Sequence, residues 1–417
     1  LNIGGSFVGS TADRVTFADG TTFGIEQTGN SAPLLTVSVP VGLQFGENPG
    51  AIVQRSQANP DPNPIRGGLP RGLDISPEQT LALVGGDLHL EGGSITAPGG
   101  RVELGSVGEN ATVALQMGDT VTFDYRETNS FNNITFSGGA NIDVSDLSGL
   151  LGSGDVRIRG RNVTLRDGSQ VSSFTIGEIS SGSIEVMATE TVELSSEGIR
   201  TGLPVPTALT TSTISNGQAG NIAITSRRLV VRDGAGIFSN SVALPMLPSR
   251  GEAGNITVSA SDRIEISGNS ANLGNSSINV TTLTEGNAGT IQVTTPQLIL
   301  RDGGSIEADT RSIGDGGTIR VTVDDLEVFG GFENNGEFDS SRISATSSGP
   351  GNAGNLIVTA ETIDVRDRGE ISTSGISTGA AGNLEITAGK LRLENDGSLR
   401  SETLAGRGNI NIDTDTV

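Results

Sequence analysis

The sequence predicts an all-β solenoid: a right-handed, single-stranded parallel β-helix with three short strands in each rung. Three observations predict it. A unit opening on Gly, then a small polar residue, then aliphatic-x-aliphatic, recurs through the second half of the chain. Within those units the aliphatic positions keep one register. The composition, with 61 Gly, 3% aromatic residues, no Cys and no Trp in 417 residues, supplies many short aliphatic strands but not a thick two-layer core.

The repeat carries the most weight. Gly154, Gly182, Gly220, Gly254, Gly289, Gly317, Gly354, Gly382 and Gly408 open units of 26 to 38 residues. Inside a unit, the first aliphatic residues of three strands lie 7 and then 8 residues apart. Val156, Val163 and Val171 do so, as do Ile222, Leu229 and Ile237, then Ile291, Leu298 and Ile306. Leu356, Ile363 and Ile371, and Leu384, Leu391 and Leu399, repeat the pattern. Each strand alternates, so Ile222 and Ile224 face inward and Ala223 outward. Strands this short bury little alone. Stacked as coils, each pairs in parallel with its copies above and below, and aliphatic ladders fill the interior. About fifteen rungs at roughly 4.8 Å would make a rod on the order of 70 Å long.

Length variation falls at particular corners. The corner between strands one and two stays short, as in Thr294 to Gln297. Insertions are expected after strand two (Ser267–Ser276, Gly330–Ser340) and after strand three (Thr201–Ser215, Ser239–Arg250). One edge of the prism is then smooth, and two carry loops, where binding usually resides. Arg166-Asp167, Arg232-Asp233, Arg301-Asp302 and Arg366-Asp367 mark the second corner of every other unit. They read as turn chemistry with local ion pairing. Skipping a rung keeps like charges apart.

Residues 80–108 read as the same coil in tighter form, with Leu88, Leu90, Ile95, Val102 and Leu104 on the ladders. The Pro/Asn/Gly-rich stretch 46–71 reads as a loop outside the coil. Ala32–Phe45 is the longest apolar stretch, but it alternates and contains Pro33 and Pro40, so it reads as strand and not as a membrane span. Leu1 already lies in a strand pattern, so the chain reads as an N-terminally truncated piece. The net charge of −22 argues against a nucleic-acid partner, whose phosphates need Lys and Arg, and suits a solvated, self-repelling surface. Without Cys, stability must come from stacking.

Three phrases carry a family resemblance: LNIGGSFVGSTADRVTFADG, LLTVSVPVGLQFGENPGAI and LALVGGDLHLEGGSITAPGGRVELGSVG. Together they resemble the later part of the secretion domain of two-partner-secretion exoproteins. With the GNAGNI-like repeats, the wording resembles the cyanobacterial haemagglutinin-like branch of the filamentous haemagglutinin family. The resemblance implies a pectin-lyase-like solenoid, export through an outer-membrane β-barrel partner, and a place outside a Gram-negative cell. It divides the chain into the end of a secretion domain (1–118, with the loop 46–71), transition rungs (119–150) and a repeat region (151–417). The family's Asn-Pro-Asn-Gly-type transporter-recognition motif is expected upstream of Leu1. Asn48-Pro49-Gly50 is a partial look-alike that reads as a turn.

No residue is assigned a catalytic, cofactor or metal role. A β-helix enzyme acting on polysaccharide needs carboxylates gathered on one face with a basic partner. The single His, His89, sits between ladder residues Leu88 and Leu90 and should point outward. Lys390 lies in the smooth corner with no carboxylate cluster. Asp324-Asp325 and Asp413-x-Asp415 are the nearest approach to paired acids and stand on different rungs. Asn221, Asn255, Asn355, Asn383 and Asn409 fit side-chain ladders along a corner better than glycan acceptors. The reading is a non-enzymatic secreted or surface adhesin or structural fibre, with surface glycans or cell receptors as candidate ligands. A polysaccharide lyase or hydrolase, or a stalk for a C-terminal effector, are the alternatives.

Overall fold

A computed structural model describes residues 2–24, 38–58, 70–118, 120–197, 205–243, 249–270, 273–334, 337–404 and 406–416. The chain winds as a parallel β-helix. Its third face is a twelve-stranded parallel sheet, and its first face runs through twelve strands of a fifteen-stranded sheet. The second face joins that larger sheet. Its strands are separate at Ile52–Gln54, Leu88–Glu91 and Ile134–Ser137. From Asp155–Arg166 to Asn383–Leu393, strands one and two run together as single strands of 11 or 12 residues. A register shift, as between Gly160 and Asn162, marks the bend. Small residues (Gly160, Ala188, Ser226 and Ala260) fill the inside of this corner, which explains why it tolerates no insertion.

The expected ladders stand in register. Ile222, Ile256, Ile291, Ile319, Leu356 and Leu384 form one column of parallel pairs, each at most 1% exposed. Twelve rungs form, fewer than the fifteen that length suggested, because loops and a second sheet consume residues. At about 4.8 Å per rung, the coil spans roughly 55 Å.

That second sheet was not visible in the repeat. Phe23, Val15, Leu43, Val113, Leu115 and Phe123 stand on strands of a five-stranded antiparallel sheet lying outside the coil. Leu43, Val113, Leu115 and Phe123 pack with Ala82, Val84 and Val107, making a second core separate from the interior of the coil.

Two expectations about loops need correction. Stretch 46–71 is not wholly outside the coil: Ile52–Gln54 pairs in parallel with Leu88–Leu90, while residues 59–69 lie outside the described residues. Nor is Thr201–Ser215 an insertion after strand three. It contains a third-face strand, Ala208–Thr213, paired between Gln170–Thr175 and Gly236–Ser241. Only Leu209 in ALTTST marks the aliphatic register, so the strand escaped an aliphatic criterion. Thr211 and Thr213 point inward instead. Residues 201–204 are outside the described residues. The insertions Ser267–Ser276 and Gly330–Ser340 do follow strand two, each as a small hairpin. The last expected insertion begins inside a strand, since Gly236–Ser241 is third face.

The corner after strand three explains the Gly-x-x-Gly spacing. A Cβ on Gly220, Gly254, Gly289, Gly317, Gly354 or Gly382 would sit 1.7–2.0 Å from the carbonyl oxygen of its counterpart one rung below. Gly251, Gly286, Gly314, Gly351 and Gly379 form a second such stack, at 1.9–2.3 Å. Inward hydroxyls answer the carbonyls these turns bury. Thr211 donates to Gly220 O at 2.6 Å, Thr282 to Gly286 O at 2.8 Å, Thr310 to Gly314 O at 2.8 Å and Thr373 to Gly382 O at 2.9 Å. Buried Ser and Thr are therefore part of the turn's hydrogen bonding.

The asparagine ladder exists, mostly pairing side chain to backbone and amide to amide only at Asn383 and Asn409 among the described residues. Asn221 Oδ1 accepts from the backbone N–H of Asn255 at 2.8 Å, and Asn255 Oδ1 from that of Thr290 at 2.7 Å. Asn355 does the same for Asn383, and Asn409 Nδ2 donates to Asn383 Oδ1 at 3.1 Å.

Replacing Gly317 by Ala should cost about 2–3 kcal/mol, since backbone stands where the methyl would go. Gly5→Ala, with nothing within 4 Å, should be nearly neutral. Ile291→Asp should cost more than about 4 kcal/mol by burying an unpaired charge. Urea midpoints of the three variants check this ordering, and a Gly317→Ala midpoint equal to that of Gly5→Ala would contradict the stacking argument.

Candidate functional site

The third face is where chemistry gathers. Both edges that carry insertions flank it, and its outward positions are mostly hydroxyl and amide side chains. Parallel pairing fixes two outward columns. One runs Ser172, Thr210, Phe238, Asn279, Glu307, Ser344, Ser372 and Arg400. The other runs Phe174, Ser212, Asn240, Thr281, Asp309, Thr346, Ser374 and Glu402. Ser212, Ser344 and Ser372 are only 5–6% exposed, so the strip is a floor and not a ridge. Two hollows open on it. One of about 220 Å³ is lined by Asn141, Asp143, Gln170, Ser172, Phe174 and Thr210. The other, about 430 Å³, is lined by Glu307, Asp309, Arg311, Arg342, Ser344 and Thr346.

Glu307 and Asp309 are the residues that sequence reasoning missed. No carboxylate pair with a basic partner was expected, yet here two carboxyls on one strand share a face with Arg342 from the next rung. The signal was available: SIEADT places two acids where the other third strands carry mostly Ser, Thr, Asn or Gly outward. Arg342 reaches Glu307 at 2.6 Å and also pairs with Asp339 of the neighbouring hairpin. Asn279 Nδ2 donates to Glu307 at 3.3 Å. Burial first, and the Glu307 charge second, push the Asp309 carboxyl up to about 7. Glu307 is held in an ion pair by Arg342, and Asp309 keeps its proton up to about 7.

The expected candidates lie apart from this site. His89 points outward between buried Leu88 and Leu90. It lines a hollow of about 420 Å³ on the second face with Asp87, Asn133 and Arg161. Asp87 is engaged there by the Asn133 backbone N–H at 2.9 Å. Lys390, Asp324, Asp325, Asp413 and Asp415 are exposed along the first and second strands. Among the described residues no group of three metal-ligating side chains occurs. The Arg-Asp corners are turns. Asp167, Asp233, Asp302 and Asp367 take φ of 51–60°, and Arg232–Asp233 and Arg366–Asp367 pair at 2.5 and 3.0 Å.

A second polar cluster lies under the antiparallel sheet. Glu103 faces outward on Arg101–Ser106, is 1% exposed, and among the described residues makes no well-formed hydrogen bond, having only the neighbouring Tyr125 hydroxyl beside it. The reason is competition. Arg101 pairs with Asp155 at 3.0 Å, while Arg157 and Arg159 pair with Glu185 at 3.3 and 3.0 Å. Burial pushes Glu103 up to about 7, and the Tyr125 hydroxyl and the Arg159, Arg157 and Arg101 charges only partly offset it. Tyr125 is held well above its ordinary value by burial and by the Glu103 charge, and Arg159 lies 5.6 Å from its ring centroid.

Sheet, second core and buried Glu103 all lie within one matched span. Residues 1–158 match the family model of the TPS secretion domain. This span is similar to a TPS secretion domain. The match supports a two-partner-secretion exoprotein, and a TPS domain implies a transporter partner and delivery to the cell surface or beyond. The five-stranded sheet, drawn from strands between Arg14 and Asp124, is the matched span's departure from plain coil. No curated protein and no solved structure matches the chain. Among the described residues no helix is long and apolar enough to cross a membrane.

Glu103 makes stability depend on pH. Between its ordinary value of 4.5 and about 7, the folded chain keeps a proton that the unfolded chain has lost. Stability is therefore full below about 4.5 and falls as pH rises toward 7, by up to about 3 kcal/mol. Asp309 tilts the same way. Glu103→Gln should be more stable than the parent at pH 8 and less sensitive to pH. Urea midpoints at pH 5 and pH 8 measure this, and equal pH dependence in the two proteins would contradict it.

Proposed function

We propose that the chain is a non-enzymatic adhesin or structural fibre of the filamentous haemagglutinin type, in its cyanobacterial branch. It reaches the outside of a Gram-negative cell through an outer-membrane β-barrel partner. The observation that carries this reading is the joining of a TPS domain to an uninterrupted solenoid in one continuous sheet. In this division of labour residues 1–118 serve export, 119–150 are transition rungs, and 151–417 are the passenger that meets ligands. Transporter-recognition residues are not assigned among those described. Surface glycans or receptors on neighbouring or host cells are the ligands of the passenger, and an effector carried beyond it is compatible with the same architecture.

Export is tested by fusing the chain to a signal peptide in a Gram-negative host with and without a two-partner barrel transporter. The passenger should become accessible to added protease only when the barrel is present. Retention in the periplasm with the barrel present would refute the reading.

The carboxyl pair Glu307/Asp309 gives the enzymatic alternative one definite place to be tested. Glycoside cleavage needs two such groups on either side of the scissile bond. Here both stand on one strand of the floor, and Glu307 is held by Arg342. The purified chain should release no reducing ends and no unsaturated products from neutral or acidic polysaccharides, with or without Ca²⁺. Turnover that survives repurification and disappears in Asp309→Asn would overturn the non-enzymatic reading.

A further inference from the structure

We propose that the third face binds a neutral oligosaccharide lying along the coil axis, from Phe238 at one end to the Glu307/Asp309 hollow at the other. This names a ligand class for the adhesin reading and rests on it for its biological meaning.

Register is the first argument. Phe238, Asn279 and Glu307 occupy one outward column on three successive rungs. Asn240, Thr281 and Asp309 stand beside them in the next column. Rungs are about 4.8 Å apart, so the aromatic and the carboxyls are roughly 10 Å apart along the axis. That length suits a short chain of sugar rings and exceeds a single ring.

The second argument is the shape of the aromatic. Gly236, two residues before Phe238 on the same side, has no side chain, and a Cβ there would lie 1.9 Å from the ring. The Phe238 ring therefore lies over Gly236, half-buried on the floor, where a sugar ring could stack on it.

The third argument is the lining of the 430 Å³ hollow. It offers the paired Glu307 carboxylate as acceptor, the Arg311 and Arg342 guanidiniums as donors, and the Ser344 and Thr346 hydroxyls as both. An anion would meet Glu307, and a divalent cation would meet the two guanidiniums. An apolar ligand would strand every one of these groups without partners. A neutral polyhydroxyl ligand satisfies donors and acceptors alike. Asp309, protonated below about 7, adds a carboxylic O–H donor to the set. The charged groups around it are Glu307 and Arg311 on its own segment and Arg342 from the next rung, itself held by Asp339 of the hairpin. Thr281 faces it from the previous rung and does not titrate.

The test uses the purified 417-residue chain and calorimetric titration with cellohexaose, maltohexaose, xylohexaose, a hyaluronan hexasaccharide and CaCl2. At least one neutral hexasaccharide should bind. Phe238→Ala and Glu307→Gln should each weaken that binding tenfold or more, while Glu385→Gln on the first face leaves it unchanged. Parental affinity should fall between pH 6 and pH 8, and Asp309→Asn should bind without that fall. Circular dichroism keeps the variants interpretable, and Phe238→Ala, a change on the outer surface, serves if Glu307→Gln misfolds. Binding by none of the neutral sugars, binding by the hyaluronan or CaCl2 probe alone, or affinity indifferent to both substitutions would each overturn the proposal. Export and cell attachment are measured separately, so a chain that is exported and attaches cells but binds none of these sugars would refute this site and leave the adhesin reading standing.

Discussion

The structure depends on close stacking of backbone on backbone at the corner after strand three. Each Gly-x-x-Gly turn rests on the carbonyls of the turn below, at a distance where a Cβ cannot fit. That contact sets the rung spacing and brings every strand into register with its copy. Hydrogen bonding then follows. Inward Ser and Thr satisfy the turn carbonyls, and asparagines on the outside reach the backbone N–H of the next rung. A stack built this way gains its stability from nearest neighbours, which is how a chain with no disulfide and few aromatics holds a thin core.

Charge is distributed by the same repeat. Arg166, Arg232, Arg301 and Arg366 stand in one column at alternate rungs, with Ser195, Ser267 and Phe329 between them. Arg232, Arg301 and Arg366 reach down to Glu193, Glu265 and Glu327 of the intervening rungs at 3.0, 2.8 and 3.2 Å. Arg366 also lies over the Phe329 ring at 3.7 Å. Exposed pairs of this kind contribute at most about 1 kcal/mol each. Their larger effect is on register, since a slip of one rung would set Arg against Arg. The remaining excess of acid stays solvated on the exterior.

Two places break the repeat, and both concentrate unusual electrostatics. Under the antiparallel sheet, Glu103 is buried while the arginines around it serve other carboxylates. On the third face, Glu307 and Asp309 stand side by side in a floor that is mostly hydroxyl and amide. In a solenoid, where each rung imitates the last, a departure from the repeat costs stability unless something outside the ladder compensates. The five-stranded sheet encloses the first. The second faces solvent in a hollow.

By itself the sequence determined the coil: its parallel ladders, the inward aliphatics from Val156 to Leu399, the smooth first corner and the hairpin insertions at Ser267 and Gly330. These are legible because period-2 alternation and a constant register are local properties of the chain. Tertiary structure alone decided what depends on distant partners. Ala208–Thr213 is a rung because inward Thr211 finds the Gly220 carbonyl inside the coil, which no hydrophobic pattern announces. Ile52–Gln54 enters the second face across a Pro-rich stretch because Leu88–Leu90 waits there to pair with it. The five-stranded sheet joins strands as far apart as Arg14 and Asp124, and only that docking buries Glu103. The third-face site has the same origin. Phe238, Asn279 and Glu307 are far apart in the chain, and only the stacking of rungs sets them one above another.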